Sequence, residues 1–400
     1  MTSATQYLDG AEGFILICFI GEVLHQFIQK DIIPQQNIPL NITLWSKYVE
    51  SFYVIAGIRA YLWSQINMVG HMKLFCKKFI HYQITHTLFC VCLYYISYSN
   101  YRVNWQNLLI LQNYFQSRND IFDLGAVFAQ IFQGYNIIIC LSKSYFGKYG
   151  VVYQYLTIFS IFLLRIIYIT RAIYVNNYYH NPQTFTGQGL QELMAFIIVF
   201  RLKHHIQTNQ LDQKYLTNTN TIFIDITIFV SVVVLFIVSR AINNIYQEGQ
   251  IYQQKIMVWL AYILFRPVII TILGILAILI EYSSIIKSFL EQYAFSNLVY
   301  RTRMFIMVST GIFYQLMLYQ AKYIKIGPYD QCLSFIVVIG AMTVIQFTSI
   351  LLFGLMMPII LLLFKVFDDF CEQISNHIIL VKANLRTKSI QKELNAAGKQ

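Results

Sequence analysis

A scarcity of charge and a series of long apolar runs predict an all-α fold, a polytopic transmembrane helix bundle. Of 400 residues, 57% are hydrophobic and 12% charged, and the mean hydropathy is +0.54. A soluble domain carries about 25% charged residues, because its surface faces water. Half that proportion calls for a less polar solvent, and lipid is one. A third observation agrees: 31 Phe and 30 Tyr bring the aromatic content to 16%. Tyr suits a bilayer edge, where its ring sits among acyl chains and its hydroxyl reaches the headgroups.

A spanning helix needs about 20 largely apolar residues to cross about 30 Å of hydrocarbon. The strongest runs are 79–98, 121–141, 151–174, 221–240, 256–280 and 333–364. Weaker ones, 13–28, 51–63, 190–201 and 304–319, are short or interrupted by charge. Roughly six to nine spans are therefore expected. The stretch 101–116 sets Trp105, Leu108, Leu109, Leu111 and Phe115 among polar residues, the pattern of an interfacial amphipathic helix. The last run is overlong. No charged residue occurs from Gln331 to Phe364, a length of about 50 Å as one helix. It must tilt, extend beyond the bilayer or break, and Pro358, after Gly354, is the expected kink. Two regions result: a transmembrane helical bundle over 1–364 and a polar carboxyl-terminal arm over 365–400, amphipathic or extended.

Charge outside these runs points to partners. The balance of 29 Lys and Arg against 18 Asp and Glu gives a net +11. Basic residues lie in almost every loop, which suits anionic lipids as partners of a chain in a lipid bilayer but fixes no orientation. A nucleic-acid partner is excluded, since basic residues are scattered or form short clusters such as Lys77-Lys78, not a dense patch. The seven cysteines show no CxxC pair and no metal-ligand spacing. His81 and His86 are five apart, not the three or four that put two ligands on one helical face, so no metal or cofactor is expected. The amino terminus lacks a basic leader region and holds Glu12 and Glu22, so no cleavable signal is expected.

Ionisable groups inside apolar segments are costly in lipid, and each is a candidate for function. Glu22 and His25 are three apart on the first segment and share a helix face, as a relay pair or as interfacial charges. Arg165 and Arg171 lie on the 151–174 run, six residues apart and not on one stripe. Arg266, beside Pro267, either faces a buried acid or snorkels where its helix enters the interface. Asp225, Arg240 and Glu281 read as boundary charges.

Three local resemblances follow. Asn119-Asp120-Ile121-Phe122-Asp123 is similar to the NDxxD pattern of intramembrane prenyltransferases, where acids bind Mg²⁺ and diphosphate. That family has another Asp four residues on, and here Val127 stands there; its RTxxRP motif and second acidic motif are missing as well. The stretch Tyr114-Phe115 to Asn119-Asp120-Ile121-Phe122-Asp123-Leu124 resembles the start of the third helix of voltage-gated and polycystin-type cation channels, commonly YFxxxWNxxD. Asn119 replaces the Trp and Asp120 the Asn. The resemblance implies that Asp123 faces Arg165 or Arg171, but no arginine ladder and no Gly- and acid-containing filter follows. Arg303 with Ser309-Thr310-Gly311 resembles the proton-pathway helix of the ATP synthase a subunit, without the Asn one turn after its Arg.

No nucleophile–base pair, metal cage or phosphate loop occurs, so a non-enzymatic role is expected. The sequence points to a membrane-embedded subunit of a larger energy-transducing or transport assembly, of respiratory-chain or ATP-synthase type, with other membrane subunits as partners. Its role is mainly structural, with a share in ion or proton translocation, and the expected location is the mitochondrial inner membrane. The alternative is a channel-like cation transport protein in a plasma or endomembrane. Candidates for an ion pathway or intramembrane ion pair are Asp123, Arg165, Arg171, Arg266, Arg303, Glu22 and His25.

Overall fold

The computed structural model describes residues 6–27, 42–64, most of 76–88, 149–171, 191–208, 221–247, 259, 263–264, 266–320 and 331–397. Among these residues the chain is helical and contains no strand. The helices are α1 (Gln6–Phe27), α2 (Ile42–Ser64), α3 (Gly150–Thr170), α4 (Gln191–Thr208) and α5 (Thr221–Gln247). Then come α6 (Arg266–Tyr282), the short α7 (Ile285–Leu290), a π-helical turn (Ala294–Val299), α8 (Tyr300–Gln320) and α9 (Gln331–Ala397). The runs at 121–141 and 101–116 lie outside the described residues.

Two units are distinguished, Met1–Ile350 and Leu351–Gln400. In the first, the core is built on α2 and α4. Residues Phe52–Ala56 and Leu193–Ile197 are buried without a break, so each helix is enclosed on every side over these turns. Each packs on the other and on α6, and α1 lies along α2. Leu16, Phe19, Ile20 and Leu24 of α1 join this core, as do Ile270 and Ile278 of α6 and Val338, Ala341 and Ile345 near the start of α9. The two runs that charge makes marginal as spans, 51–63 and 190–201, are therefore central, and their neighbours belong to the same chain.

Helices α3 and α5 are peripheral and face outward. Helix α3 buries only Gly150, Gln154, Ile161, Arg165 and Ile169, a single stripe, while Tyr155, Leu156, Phe159 and Ile167 are exposed. Helix α5 exposes Phe223, Ile226, Phe229 and Val230. In length and apolarity two described segments qualify as membrane spans, Gly150–Thr170 and Ile336–Ile374. Shorter apolar helical stretches occupy Ser51–Leu62, Thr221–Leu235 and Pro267–Tyr282. The Leu351–Gln400 unit is the carboxyl-terminal part of α9, which remains helical through Pro358 and on to Ala397. The arm is thus helical rather than extended.

Candidate functional site

The amino-terminal turns of α1 place Asp9 and Glu12 three residues apart, on one helix face. Helix α1 can lie close to the segment after α7 because Gly10 and Gly13 carry no side chain. A Cβ on Gly10 would sit 1.7 Å from the Leu290 carbonyl oxygen, and one on Gly13 2.6 Å from that of Phe295. The Gln6 side-chain amide fastens the same contact, donating to the Glu291 carbonyl at 3.1 Å and to Ser296 Oγ at 3.3 Å. A π-helical turn, which widens the backbone, leads directly into α8 and presents Tyr300 and Arg303 to α1.

Four charges meet here. Arg59 of α2 donates from Nη2 to Asp9 Oδ1 at 2.8 Å and from Nη1 to Glu12 Oε2. Arg303 Nε lies 3.0 Å from the other Glu12 oxygen. Side-chain exposure is 13% for Asp9, 7% for Glu12, 8% for Arg59 and 16% for Arg303, so all three pairings are shielded from solvent. Both guanidinium groups cover the Tyr300 ring, Arg303 at 3.9 Å from its centroid and Arg59 at 4.8 Å. Arg303 Nη1 also donates to the Tyr300 carbonyl at 2.7 Å, which holds its fork in place. Two carboxylates and two guanidinium groups leave the cluster neutral, the condition under which buried charge is tolerable.

Asp9 lies ahead of the apolar run 13–28. Burial raises its carboxyl above the ordinary range, against the pull of Arg59; Glu12 adds to the rise, while Arg303 and a hydrogen bond from Tyr300 oppose it.

Asp225 of α5 forms a second polar junction. Its carboxylate accepts hydrogen bonds from the Ser283 hydroxyl, the Ser284 hydroxyl at 3.1 Å and the Ile285 and Ile286 amides at 3.2 and 3.4 Å. It therefore caps α7 from another helix. On the same side of the bundle, Lys203 and Glu281 pair at 2.7 Å across α4 and α6. Asp225 and Glu281 tie helices together and do more than mark span boundaries.

The chain matches no protein-family model, no curated protein and no solved structure.

Of the residues singled out in the sequence, Arg303 joins the cluster. Arg165 is buried on α3 at 2% exposure, whereas Arg171 is exposed at that helix's end, so the two face different surroundings. Arg266 opens α6 with Pro267 in the first turn, where a missing N–H costs no helix bond. The side chains of Arg266, Glu22 and His25 lie outside the described residues, as does Asp123 entirely. Asp9, Glu12, Arg59 and Tyr300 were not singled out. One signal was available: Arg59 is the only charge in the run 51–63, and a lone buried cation requires an acid from elsewhere.

Proposed function

We propose that this chain is a membrane-embedded, non-enzymatic subunit of a larger energy-transducing or transport assembly, of respiratory-chain or ATP-synthase type. In this reading it crosses the bilayer roughly six to nine times, works mainly as a structural element, and lets its buried charges take part in ion or proton translocation. The observation that carries the reading is an inverted polarity. Charges are gathered and paired inside, at Asp9, Glu12, Arg59 and Arg303, while α3 and α5 turn Phe, Leu, Ile and Val outward. A protein in water would do the reverse.

Burial of the marginal spans gives no support for partner subunits, since α2 and α4 are covered by their own chain. Support comes from the apolar helices at the periphery and from α9, which at about 1.5 Å per residue runs far past a 30 Å hydrocarbon layer. Arg303 is engaged internally by Glu12 and Tyr300, which favours a structural over a mobile role for that residue. The mitochondrial inner membrane remains part of the proposal through the resemblance at Arg303 and Ser309-Thr310-Gly311.

Purification in mild detergent tests it. A stable set of co-migrating membrane subunits, with no current from the isolated chain in planar bilayers, is the expected result. A homogeneous small oligomer that conducts cations would overturn it in favour of the second reading, a channel-like cation transporter. That alternative is favoured by the buried Arg165, an inward-facing cation on a lipid-compatible helix.

A further inference from the structure

Pairing within the cluster is unequal. Glu12 has a guanidinium at each oxygen, Arg59 at one and Arg303 at the other. Among the described residues, Asp9 is in direct contact with one arm of Arg59, whose other arm goes to Glu12, and with the Tyr300 hydroxyl, while Arg303 acts on it from farther away. The less compensated acid is also the more open one, with 13% of its side chain exposed against 7% for Glu12. Glu12 is therefore the more fully paired acid, and Asp9 is the member whose charge the cluster can lose.

We propose that Asp9 is a reversible proton-binding site. A proton from water adds to a carboxylate oxygen of Asp9, and no other bond forms or breaks. The Asp9–Arg59 ion pair becomes a hydrogen bond to a neutral acid, Arg59 stays on Glu12, and the net charge of the cluster rises from zero to one positive. The groups that face Asp9 are Glu12 on its own helix, Arg59 on α2, and Tyr300 and Arg303 on α8. The facing α7 segment carries Lys287 and Glu291, both partly exposed, and meets α1 through backbone at Gly10 and Gly13. Burial works in the same direction, since it penalises the charged form of Asp9. This inference rests on the reading of the cluster as part of a translocation path and names the proton as the ion.

A hydrophobic carbodiimide reacts with protonated carboxyl groups in apolar surroundings and reports the site on the chain itself. The full-length protein in mild detergent is treated across a series from mildly acidic to mildly alkaline pH, and adducts are located by peptide mass spectrometry. Asp9 is expected to be modified severalfold more than Glu12, with an extent that falls as pH rises. Asp9→Asn removes that adduct, and Arg59→Gln extends labelling to higher pH. Absence of an Asp9 adduct at every pH where the far-ultraviolet spectrum remains helical overturns the proposal, as does equal labelling of Asp9 and Glu12. Should the Arg59 variant fail to fold, the pH series on the unaltered chain decides alone. Co-purification reports on the assembly separately, so the two readings can fail independently.

Discussion

Arg59 holds two acids at once, and its loss would leave Asp9 and Glu12 side by side with Arg303 as the remaining cation. Removing one partner of a buried pair costs about 3–5 kcal/mol, because the remaining charge stays desolvated. Arg59→Met is therefore expected to lower stability by about that amount in detergent unfolding curves. Replacing all four charged residues by apolar ones of similar size should cost less than Arg59→Met alone. Asp9 gives this cluster a pH dependence. Its folded carboxyl lies above the ordinary range, so between the unfolded and folded values the folded chain binds more protons. Stability is then highest below the ordinary carboxylate range and declines as pH rises through the raised folded value; Asp9→Asn should flatten that decline in thermal scans. Arg303 could be read from the sequence as a charge beside an apolar run, but its partners could not. Asp9 and Glu12 sit just ahead of the first run, where acids look like ordinary flanks, and only packing brings Arg59 and Arg303 to them.

At the scale of elements, the approach of α1 to the α7–π segment depends on two positions without side chains. Gly10→Ala would force a Cβ to within 1.7 Å of a backbone oxygen that cannot swing away. A cost at or above the about 1–3 kcal/mol of an overpacked core is expected, with Gly13→Ala, at 2.6 Å, the milder of the two. Paired melting curves of the two variants check the order. Asp225→Ala removes the cap of α7 and should cost about 1–2 kcal/mol, with Asp225→Asn recovering part of it. Helix positions were largely legible: the described residues of the runs at 13–28, 51–63, 151–174, 190–201, 221–240, 304–319 and 333–364 fall on helices. Which of them lie at the centre of the core was not. Charge demoted 51–63, yet that charge is Arg59, held inside by α1. Hydropathy scores each segment as though it met solvent alone, whereas α2 and α4 meet other helices.

For the whole molecule, apolar surface on α3 and α5 and along α9 requires lipid or another apolar cover. The protein is expected to stay in the membrane fraction through an alkaline carbonate wash, and its release into the supernatant would contradict bilayer insertion. An all-helical fold was legible because scarcity of charge and length of apolar run are properties of composition and periodicity. The π-helical turn was not, since a backbone widening of this kind has no residue signature in Ala294–Val299.

The four-charge cluster also imposes an order on biosynthesis. Asp9, Glu12 and Arg59 lie on α1 and α2, whereas Arg303 comes from α8, more than 200 residues later in synthesis. Within the cluster, α1 and α2 supply two acids and one cation, and the second cation arrives only with α8. The pairing of Glu12 at both of its oxygens is therefore complete only after α8 has been made, and a truncation ahead of Arg303 is expected to leave α1 and α2 less stable than in the full chain.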